Sequence, residues 1–250
     1  MTLDTELLRP GETLDDLQLS GMRLIQSAHG YRFSLDAVLL AHFPDLTDVN
    51  RVIDLGTGNG IIPCLLAGRA PGLQILGVER QEEMVDRARR SIVINGLESR
   101  VTILPADIRT IEKHLPRGEA ELVLSNPPFW KEGEGLVSRH PEAAAARHEL
   151  HLKLAELVEK GAYLLAPRGR LAIIHRAQRL AEVLELFTRQ QVYPRRLRLV
   201  HPKADREANL MLLEGVKNQR GQLHILPPLA VYSSPGEYSQ EIKQIYRSEE

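Results

Sequence analysis

Between residues 51 and 190, short apolar segments alternate with longer segments whose apolar positions recur every three or four residues. This alternation of strands with amphipathic helices is typical of a parallel sheet that is covered by helices on both faces. The predicted strands are 51–55, 74–79, 101–105, 121–125 and 170–175, and the predicted helices are 61–69, 82–94, 148–165 and 177–190. The pattern therefore predicts a doubly wound, mostly parallel α/β fold that is Rossmann-like.

The segments on either side of this core predict smaller units. Two β-rich segments, 195–200 and 209–216, are separated by a polar turn and predict an antiparallel hairpin that closes the sheet edge. Ahead of the core, 17–34 predicts a small extended unit, and Ser34 predicts the N-cap of a helix over 35–43. The proline-containing end predicts a loosely attached arm. We expect an N-terminal extension of a small hairpin plus helix at 1–47, a core at 48–221 and a C-terminal arm at 222–250.

Composition and charge restrict the class of protein. With 32 basic and 33 acidic residues, the chain can contact nucleic acid only through local patches. Cys64 is the single cysteine, which suits a reducing compartment and excludes an internal disulfide. The acidic N-terminus and the lack of an apolar segment approaching about 18 residues predict a cytoplasmic protein without a membrane contact. The histidine spacings predict no metal site.

A glycine-rich turn follows the first predicted strand. In Asp54-Leu55-Gly56-Thr57-Gly58-Asn59-Gly60, the missing Cβ atoms allow a ligand to approach the backbone. The Gly-x-Gly-x-Gly spacing differs from the Gly-x-Gly-x-x-Gly of dinucleotide folds, and the Asp54 carboxylate can accept from an amino group. The turn therefore favours a ligand with an ammonium group over one with a pyrophosphate.

Acidic residues also end the next two predicted strands. Glu79, followed by Arg80, is placed to accept from both hydroxyls of a ribose. Asp107 and Ile108 are suited to the amino group and the flat face of an adenine. Because the carboxyl ends of parallel strands meet at one edge of a sheet, we expect these residues to form one nucleoside site with the glycine turn.

The whole set resembles the S-adenosylmethionine site of class I methyltransferases, and the similarity covers residues 51–125. The resemblance implies S-adenosylmethionine as the cofactor, with its ammonium, ribose and adenine bound by Asp54, Glu79 and Asp107 in turn. The implied cofactor-binding residues are Asp54, Gly56, Gly58, Gly60, Glu79, Arg80, Asp107, Ile108 and Asn126.

The motif Ser125-Asn126-Pro127-Pro128-Phe129 follows the fourth predicted strand. The prolines fix the backbone, so the Asn126 side-chain oxygen and the Pro127 carbonyl can accept both N–H bonds of an exocyclic amine and favour a pyramidal, reactive nitrogen. Phe129 would stack on the target base. We predict Asn126, Pro127, Pro128 and Phe129 as the catalytic group. The motif itself leaves adenine, guanine and glutamine side-chain amides open as acceptors.

Further similarity lies outside the core. The segment 26–41, which contains Gly30-Tyr31-Arg32-Phe33-Ser34, resembles the bacterial family that includes the tRNA1(Val) adenine N6-methyltransferase. The tail also resembles this family, in Pro227-Pro228-Leu229-x-Val231-Tyr232 and in Tyr238-Ser239-x-Glu241-Ile242-x-x-Ile245-Tyr246. The resemblance implies methylation of adenine N6 in RNA, most directly tRNA. A guanine-N2 rRNA methyltransferase, a glutamine-amide protein methyltransferase and a catalytically silent RNA-binding module remain alternatives.

Several residues are candidates for contact with the RNA. Basic side chains can bind phosphates, and an aromatic ring near the pocket can contact the base. The predicted substrate residues are Phe33, Lys131, Arg147, Arg195 and Arg196. Residues 130–147 are predicted to form a lid, and the sequence is compatible with a monomer or a dimer.

Overall fold

The computed structural model describes residues 7–17, 21–28, 35–127, 129 and 152–247. The helices are α1 Leu35–His42, α2 Ile61–Arg69, α3 Glu82–Ile94, α4 Leu154–Leu164, α5 Leu180–Arg189 and α6 Gln240–Arg247. The strands are β1 Glu12–Asp16, β2 Arg23–Ser27, β3 Arg51–Leu55, β4 Gln74–Glu79, β5 Val101–Pro105, β6 Ala120–Ser125, β7 Leu165–Arg176, β8 Val192–His201, β9 Leu210–Lys217, β10 His224–Ile225, β11 Leu229–Ala230, β12 Tyr232–Ser234 and β13 Glu237–Tyr238. Short 3-10 segments span Ile108–Lys113 and Ala177–Arg179.

Nine of these strands form the central sheet, in the order β10-β8-β9-β7-β6-β3-β4-β5 with β11 beside β8. Strands β3 to β7 pair in parallel, whereas β9 lies antiparallel between β7 and β8. The predicted doubly wound fold is confirmed. Because the chain runs outward from β3 in one direction through β4 and in the other through β6, the carboxyl ends of β3 and β6 border the crevice where such folds bind ligands.

The sheet is covered on both faces, which explains why its strands are nearly continuous apolar segments. Val52 packs in one hydrophobic cluster with α2 and α3, while Ile53 and Leu55 pack in the other with α4 and α5. Alternate residues of β3 therefore support opposite layers of the core. Asp54 lies between these apolar neighbours and is fully buried.

The N-terminal hairpin is formed by β1 and β2 and packs on α3. The predicted extended unit began too late in the sequence, because β1 already starts at Glu12 and pairs in register with Ser27. The Glu12 carboxylate binds Arg90 at 2.6 Å, and the Ser91 hydroxyl accepts from the backbone N–H of Ile25 at 3.0 Å. Burial alone would raise the pKa of Glu12, but Arg90 and neighbouring donors outweigh it and lower the pKa to about 2.

The C-terminal region differs from the prediction in two respects. The β8–β9 hairpin is present, but β10 and β11 extend the sheet beyond β8, so the hairpin does not form the edge. The predicted loose attachment of the arm is also wrong, because Leu229, Val231 and Ile242 are buried in the core. A few widely spaced apolar residues are enough to dock the arm. The division of the chain at 47 and 221 remains a prediction.

Candidate active site

The glycine turn connects β3 to α2 at the carboxyl edge of the sheet. Gly56, Gly58 and Gly60 have φ values of 77°, 57° and 87°, which lie in the left-handed region that strains other residues. A Cβ atom added at Gly56 or Gly58 would meet nothing within 4 Å, so the turn borders open space. The backbone N–H groups of Gly56 and Thr57 donate to Val78 and fix the turn beside β4.

Asp54 lies directly beneath this turn. Its side chain is fully buried, and neither carboxylate oxygen has a hydrogen-bond partner among the described residues. The buried Thr57 hydroxyl likewise lacks a bond of acceptable geometry within those residues. Burial, with a smaller contribution from the Glu79 charge, raises the pKa of Asp54 to about 7, although the nearby Thr57 hydroxyl offsets part of the increase. A buried acceptor of this kind requires a donor, and a ligand ammonium would satisfy it.

Glu79 ends β4 and holds the turn from the other side. Its Oε2 accepts from the backbone N–H of Gly58 at 3.0 Å, and its Oε1 accepts from those of Arg80 and Gln81 at 2.9 Å each. These three bonds fix the carboxylate, and Oε2 retains a lone pair for a ligand hydroxyl. The geometry is compatible with the predicted ribose contact.

Asp107 lies after β5, where its carboxylate forms an ion pair with Arg109. The Arg109 Nη2 lies 2.6 Å from Oδ2, and the backbone N–H of Arg109 donates to Oδ1 at 2.9 Å. The Arg109 guanidinium holds the pKa of Asp107 below its ordinary value, and the charge of Arg80 acts in the same direction. The neighbouring Ile108 is buried. An adenine amino group bound at Asp107 would therefore share the carboxylate with Arg109.

The reacting motif begins beside the glycine turn. The buried Ser125 hydroxyl donates to the carbonyl of Leu55 at 2.7 Å, which ties the end of β6 to the end of β3. Asn126 is therefore held next to Gly56. Asn126 is partly exposed and Pro127 is buried, so the carboxamide has access to solvent while its backbone is supported. Pro128 lies outside the described residues.

Phe129 packs against the end of β7. Its ring centroid lies 5.4 Å from that of His175, with a 47° angle between the planes. Burial, followed by the charge of Arg179, lowers the pKa of His175 to about 3, so the imidazole is neutral. The backbone N–H of Arg176 donates to His175 Nδ1 at 2.8 Å. His175 thus acts as an uncharged support for Phe129.

The predicted RNA contacts have different outcomes. Phe33, Lys131, Arg147 and the predicted lid at 130–147 lie outside the described residues. Arg195 lies mid-strand in β8, where its guanidinium occupies the space above Gly221.

The prediction that Arg196 binds phosphate stays a prediction, although its partly exposed guanidinium also makes contacts within the protein. It donates to the carbonyl of Phe43 at 3.2 Å, lies 4.8 Å from the Phe43 ring centroid, and is 3.6 Å from the buried Glu214 carboxylate. These contacts join β8 to the end of α1.

Four residues of the site have no role predicted from the sequence, namely Thr57, Arg109, Ser125 and His175. Ser125 and Thr57 lie within the motifs themselves, and Arg109 is two positions after Asp107. Their closeness to predicted site residues in the sequence could have indicated them. His175 gave no such signal, because its contact with Phe129 exists only in the folded sheet.

The described ranges contain no group of three or more His, Cys, Asp or Glu side chains that could hold a metal ion. Within the same ranges, every helix is too short or too polar to cross a membrane.

A family model described as the methyltransferase small domain matches residues 35–195, from α1 to the middle of β8. The chain belongs to this methyltransferase family. The match includes the glycine turn, the acidic strand ends and the Asn126 motif. The chain is therefore a methyltransferase with S-adenosylmethionine as its cofactor, as the sequence predicted.

Individual relatives agree with this assignment. A tRNA1(Val) (adenine(37)-N6)-methyltransferase of Tolumonas auensis is 32% identical over 181 residues, which cover 71% of this chain and 73% of the relative. A protein of the same name from Aeromonas hydrophila is 29% identical over 215 residues, covering 84% of this chain and 86% of its own.

Solved structures support the fold. A predicted O-methyltransferase of Agrobacterium tumefaciens aligns with a TM-score of 0.68 at 22% identity and covers 86% of this chain and 96% of its own. TrmN from Thermus thermophilus aligns with a TM-score of 0.51 at 24% identity, and the alignment covers 72% of this chain and 48% of the TrmN chain. At these identities the structures show a common architecture and say nothing of the acceptor atom.

The site fits the cofactor on three independent observations. Asp54 offers a buried acceptor that lacks a partner within the described residues, the glycine turn borders open space, and Glu79 keeps a lone pair at the same edge. Together these features match an ammonium, a close backbone contact and a ribose.

Proposed function

We propose that this methyltransferase transfers a methyl group to the exocyclic N6 of an adenine in RNA, and that the RNA is a tRNA. The observation that carries the proposal is the Ser125–Leu55 hydrogen bond, which holds Asn126 beside the glycine turn. The names of the relatives support adenine in tRNA as the acceptor.

The reaction needs a nucleophilic nitrogen at a defined position. When bound, S-adenosylmethionine would supply an electrophilic methyl group on a sulfonium centre, and the broken sulfur–methyl bond would leave the neutral thioether S-adenosylhomocysteine. An exocyclic amine is a poor nucleophile because its lone pair is delocalised into the ring. The Asn126 side-chain oxygen and the Pro127 carbonyl would each accept one N–H of the amine, which directs the lone pair out of the ring plane towards the methyl group.

The residues around the amine contribute orientation rather than proton abstraction. Phe129, supported by neutral His175, presents a flat surface for the target base. Correct alignment of the reacting atoms is itself a large part of the barrier reduction. The Asn126 and Pro127 oxygens also stabilise the positive charge that develops on the nitrogen as the bond forms. The proton then leaves to solvent through the partly exposed Asn126 side.

The test compares acceptor classes under identical conditions. The protein is incubated with radiolabelled S-adenosylmethionine and, in separate reactions, with tRNA lacking the modification, with rRNA or with a protein release factor. We expect label in the tRNA alone. Label in rRNA or in the release factor would retain methyl transfer but refute the acceptor, and binding of tRNA without any transfer would indicate a silent RNA-binding module.

A further inference from the structure

Three tyrosine rings form a stacked ladder at the C-terminal end of the described chain. Tyr232 and Tyr238 are direct cross-strand partners in the β12–β13 hairpin, with ring centroids 5.4 Å apart and planes 13° apart. Tyr246 of α6 continues the stack, with its centroid 6.0 Å from that of Tyr238 and an angle of 17°. The tyrosine ladder therefore consists of Tyr232, Tyr238 and Tyr246, with Tyr238 in the middle.

One end of the tyrosine ladder is anchored in the protein. Ile242 of α6 is fully buried, and Arg198 of β8 forms an ion pair with Glu241 at 2.6 Å. Burial, with the neighbouring tyrosines, raises the pKa of Tyr246 to about 12, so its hydroxyl stays neutral. These contacts attach the Tyr246 end of the ladder to the core and to β8.

The two rings of the β12–β13 hairpin are partly exposed to solvent. Tyr232 is 36% exposed and Tyr238 is 37% exposed, and they are two of the four exposed large apolar side chains in the described ranges. Tyr232 is the terminal ring of the stack, so a further flat ring would stack on Tyr232, and Tyr238, which already has a ring on each face, would support it.

The ladder lies at the same edge of the sheet as the reacting motif. Ser125 of β6 pairs with Ile173 near the end of β7, and Arg176 and Val200 both lie opposite Leu210 of β9. The carboxyl ends of β6, β7 and β8 therefore share one edge. The backbone N–H of Tyr232 donates to the carbonyl of Pro202, immediately after β8, at 3.0 Å. From β6 the sheet continues through β7, β9 and β8 to β11, which directly precedes the β12–β13 hairpin. These four strand spacings of roughly 4.8 Å place the start of the ladder about 19 Å from β6.

The charges near the ladder favour a base over a phosphate as its ligand. The turn between β8 and β9 contains Lys203 and Arg206 but also Asp205 and Glu207. Lys243 pairs with Glu237 at 2.7 Å. The surroundings are thus close to neutral, so binding here would come from the rings rather than from counterion release.

We propose that the tyrosine ladder is a stacking platform for an unpaired base of the RNA substrate, on the chain that also carries the target adenine. The inference rests on the proposed function. A stacked strand advances about 3.4 Å per nucleotide, so about 19 Å corresponds to a base within roughly six nucleotides of the target. An enzyme that removes one base from its stack gains from holding a neighbouring base in place.

The experiment measures the affinity of the full chain for a labelled tRNA by fluorescence anisotropy at several salt concentrations. Tyr232→Leu removes the outer ring, and Tyr232→Phe keeps the stacking surface. The matched control is Tyr193→Leu, at the start of β8 on the opposite edge of the sheet. We expect Tyr232→Leu to bind RNA about 5- to 150-fold more weakly with an unchanged salt dependence, Tyr232→Phe to recover most of the loss, and Tyr193→Leu to stay within about twofold of the original chain.

A second measurement removes the base instead of the ring. Abasic positions are introduced one at a time within six nucleotides of the target adenine. At one of them, affinity should fall for the original chain but not for Tyr232→Leu, a result that a loss of stability cannot produce.

The outcomes separate the inference from the proposed function. If the original chain methylates tRNA but Tyr232→Leu binds it equally well, or if no abasic position distinguishes the two chains, the platform is refuted and the methyl transfer stands. If the original chain neither binds nor methylates tRNA, both are refuted.

Discussion

Asp54→Asn should increase the stability of the cofactor-free protein while weakening its binding of the cofactor. Burial raises the pKa of Asp54 from 3.8 to about 7. Because the unfolded chain releases this proton at lower pH than the folded chain, the stability associated with Asp54 is lost as the pH rises from 3.8 to 7. A difference of about 3 pKa units corresponds to as much as about 4 kcal/mol.

Asparagine has nearly the same shape as aspartate but carries no charge, so the variant avoids the free-energy cost of burying an ionised carboxylate. At pH 8 the cofactor-free variant should be more stable than the original chain by up to that amount, and at pH 4 the two should be nearly equal. With the cofactor, the variant loses a charged hydrogen bond to the ammonium. A bond of that kind contributes about 1.5–3 kcal/mol, so we expect roughly 10- to 100-fold weaker binding.

The assay combines urea unfolding between pH 4 and pH 8 with calorimetric titration of the cofactor at pH 8. Asp107→Asn is the control, since the Arg109 guanidinium lowers the pKa of Asp107. The Asp107→Asn variant should change in the opposite direction. It should be less stable than the original chain at pH values above the ordinary carboxyl pKa, where the Asp107 carboxylate stabilises the fold. An Asp54→Asn variant that is less stable at pH 8 and binds the cofactor unchanged would refute the assignment of Asp54 as the buried acceptor.

Three further substitutions test other parts of the structure. Glu12→Gln should cost about 3 kcal/mol at neutral pH, because the folded pKa is about 2 against 4.5, and urea unfolding should show the difference disappearing as the pH falls from 4.5 to 2. Ser125→Ala should cost about 1 kcal/mol and slow single-turnover transfer, and an unchanged rate would contradict the role of its bond to Leu55. Phe129→Ala should weaken RNA binding by the roughly 1–3 kcal/mol of a stacked base, while calorimetry shows unaltered cofactor affinity.

The core elements were predictable because their patterns are local. Strands β3, β4 and β5 and helices α2 and α3 have the predicted bounds, since glycine turns and polar residues border their apolar segments. The glycine turn and the acidic strand ends could be brought together for the same reason, because parallel strands place their carboxyl ends at one edge.

The remaining features depend on contacts between distant parts of the chain. The predicted helix 148–165 begins only at Leu154 within the described residues and ends at Leu164, because Leu165 pairs with Ala120 and starts β7. Residues 177–179 form a 3-10 turn ahead of α5 rather than the predicted α-helix. Neither the pairing partners of the strands nor the burial of Ile242 in the core can be recognised from periodicity alone.

The product nucleoside shows whether the acceptor is adenine N6. Purified tRNA that lacks the modification is incubated with S-adenosylmethionine and either the original chain or Asn126→Ala, then digested and analysed by mass spectrometry. We expect N6-methyladenosine from the original chain, and a loss of at least about 100-fold in Asn126→Ala with its cofactor affinity largely retained. N2-methylguanosine as the product, or equal yields from both chains, would contradict this expectation.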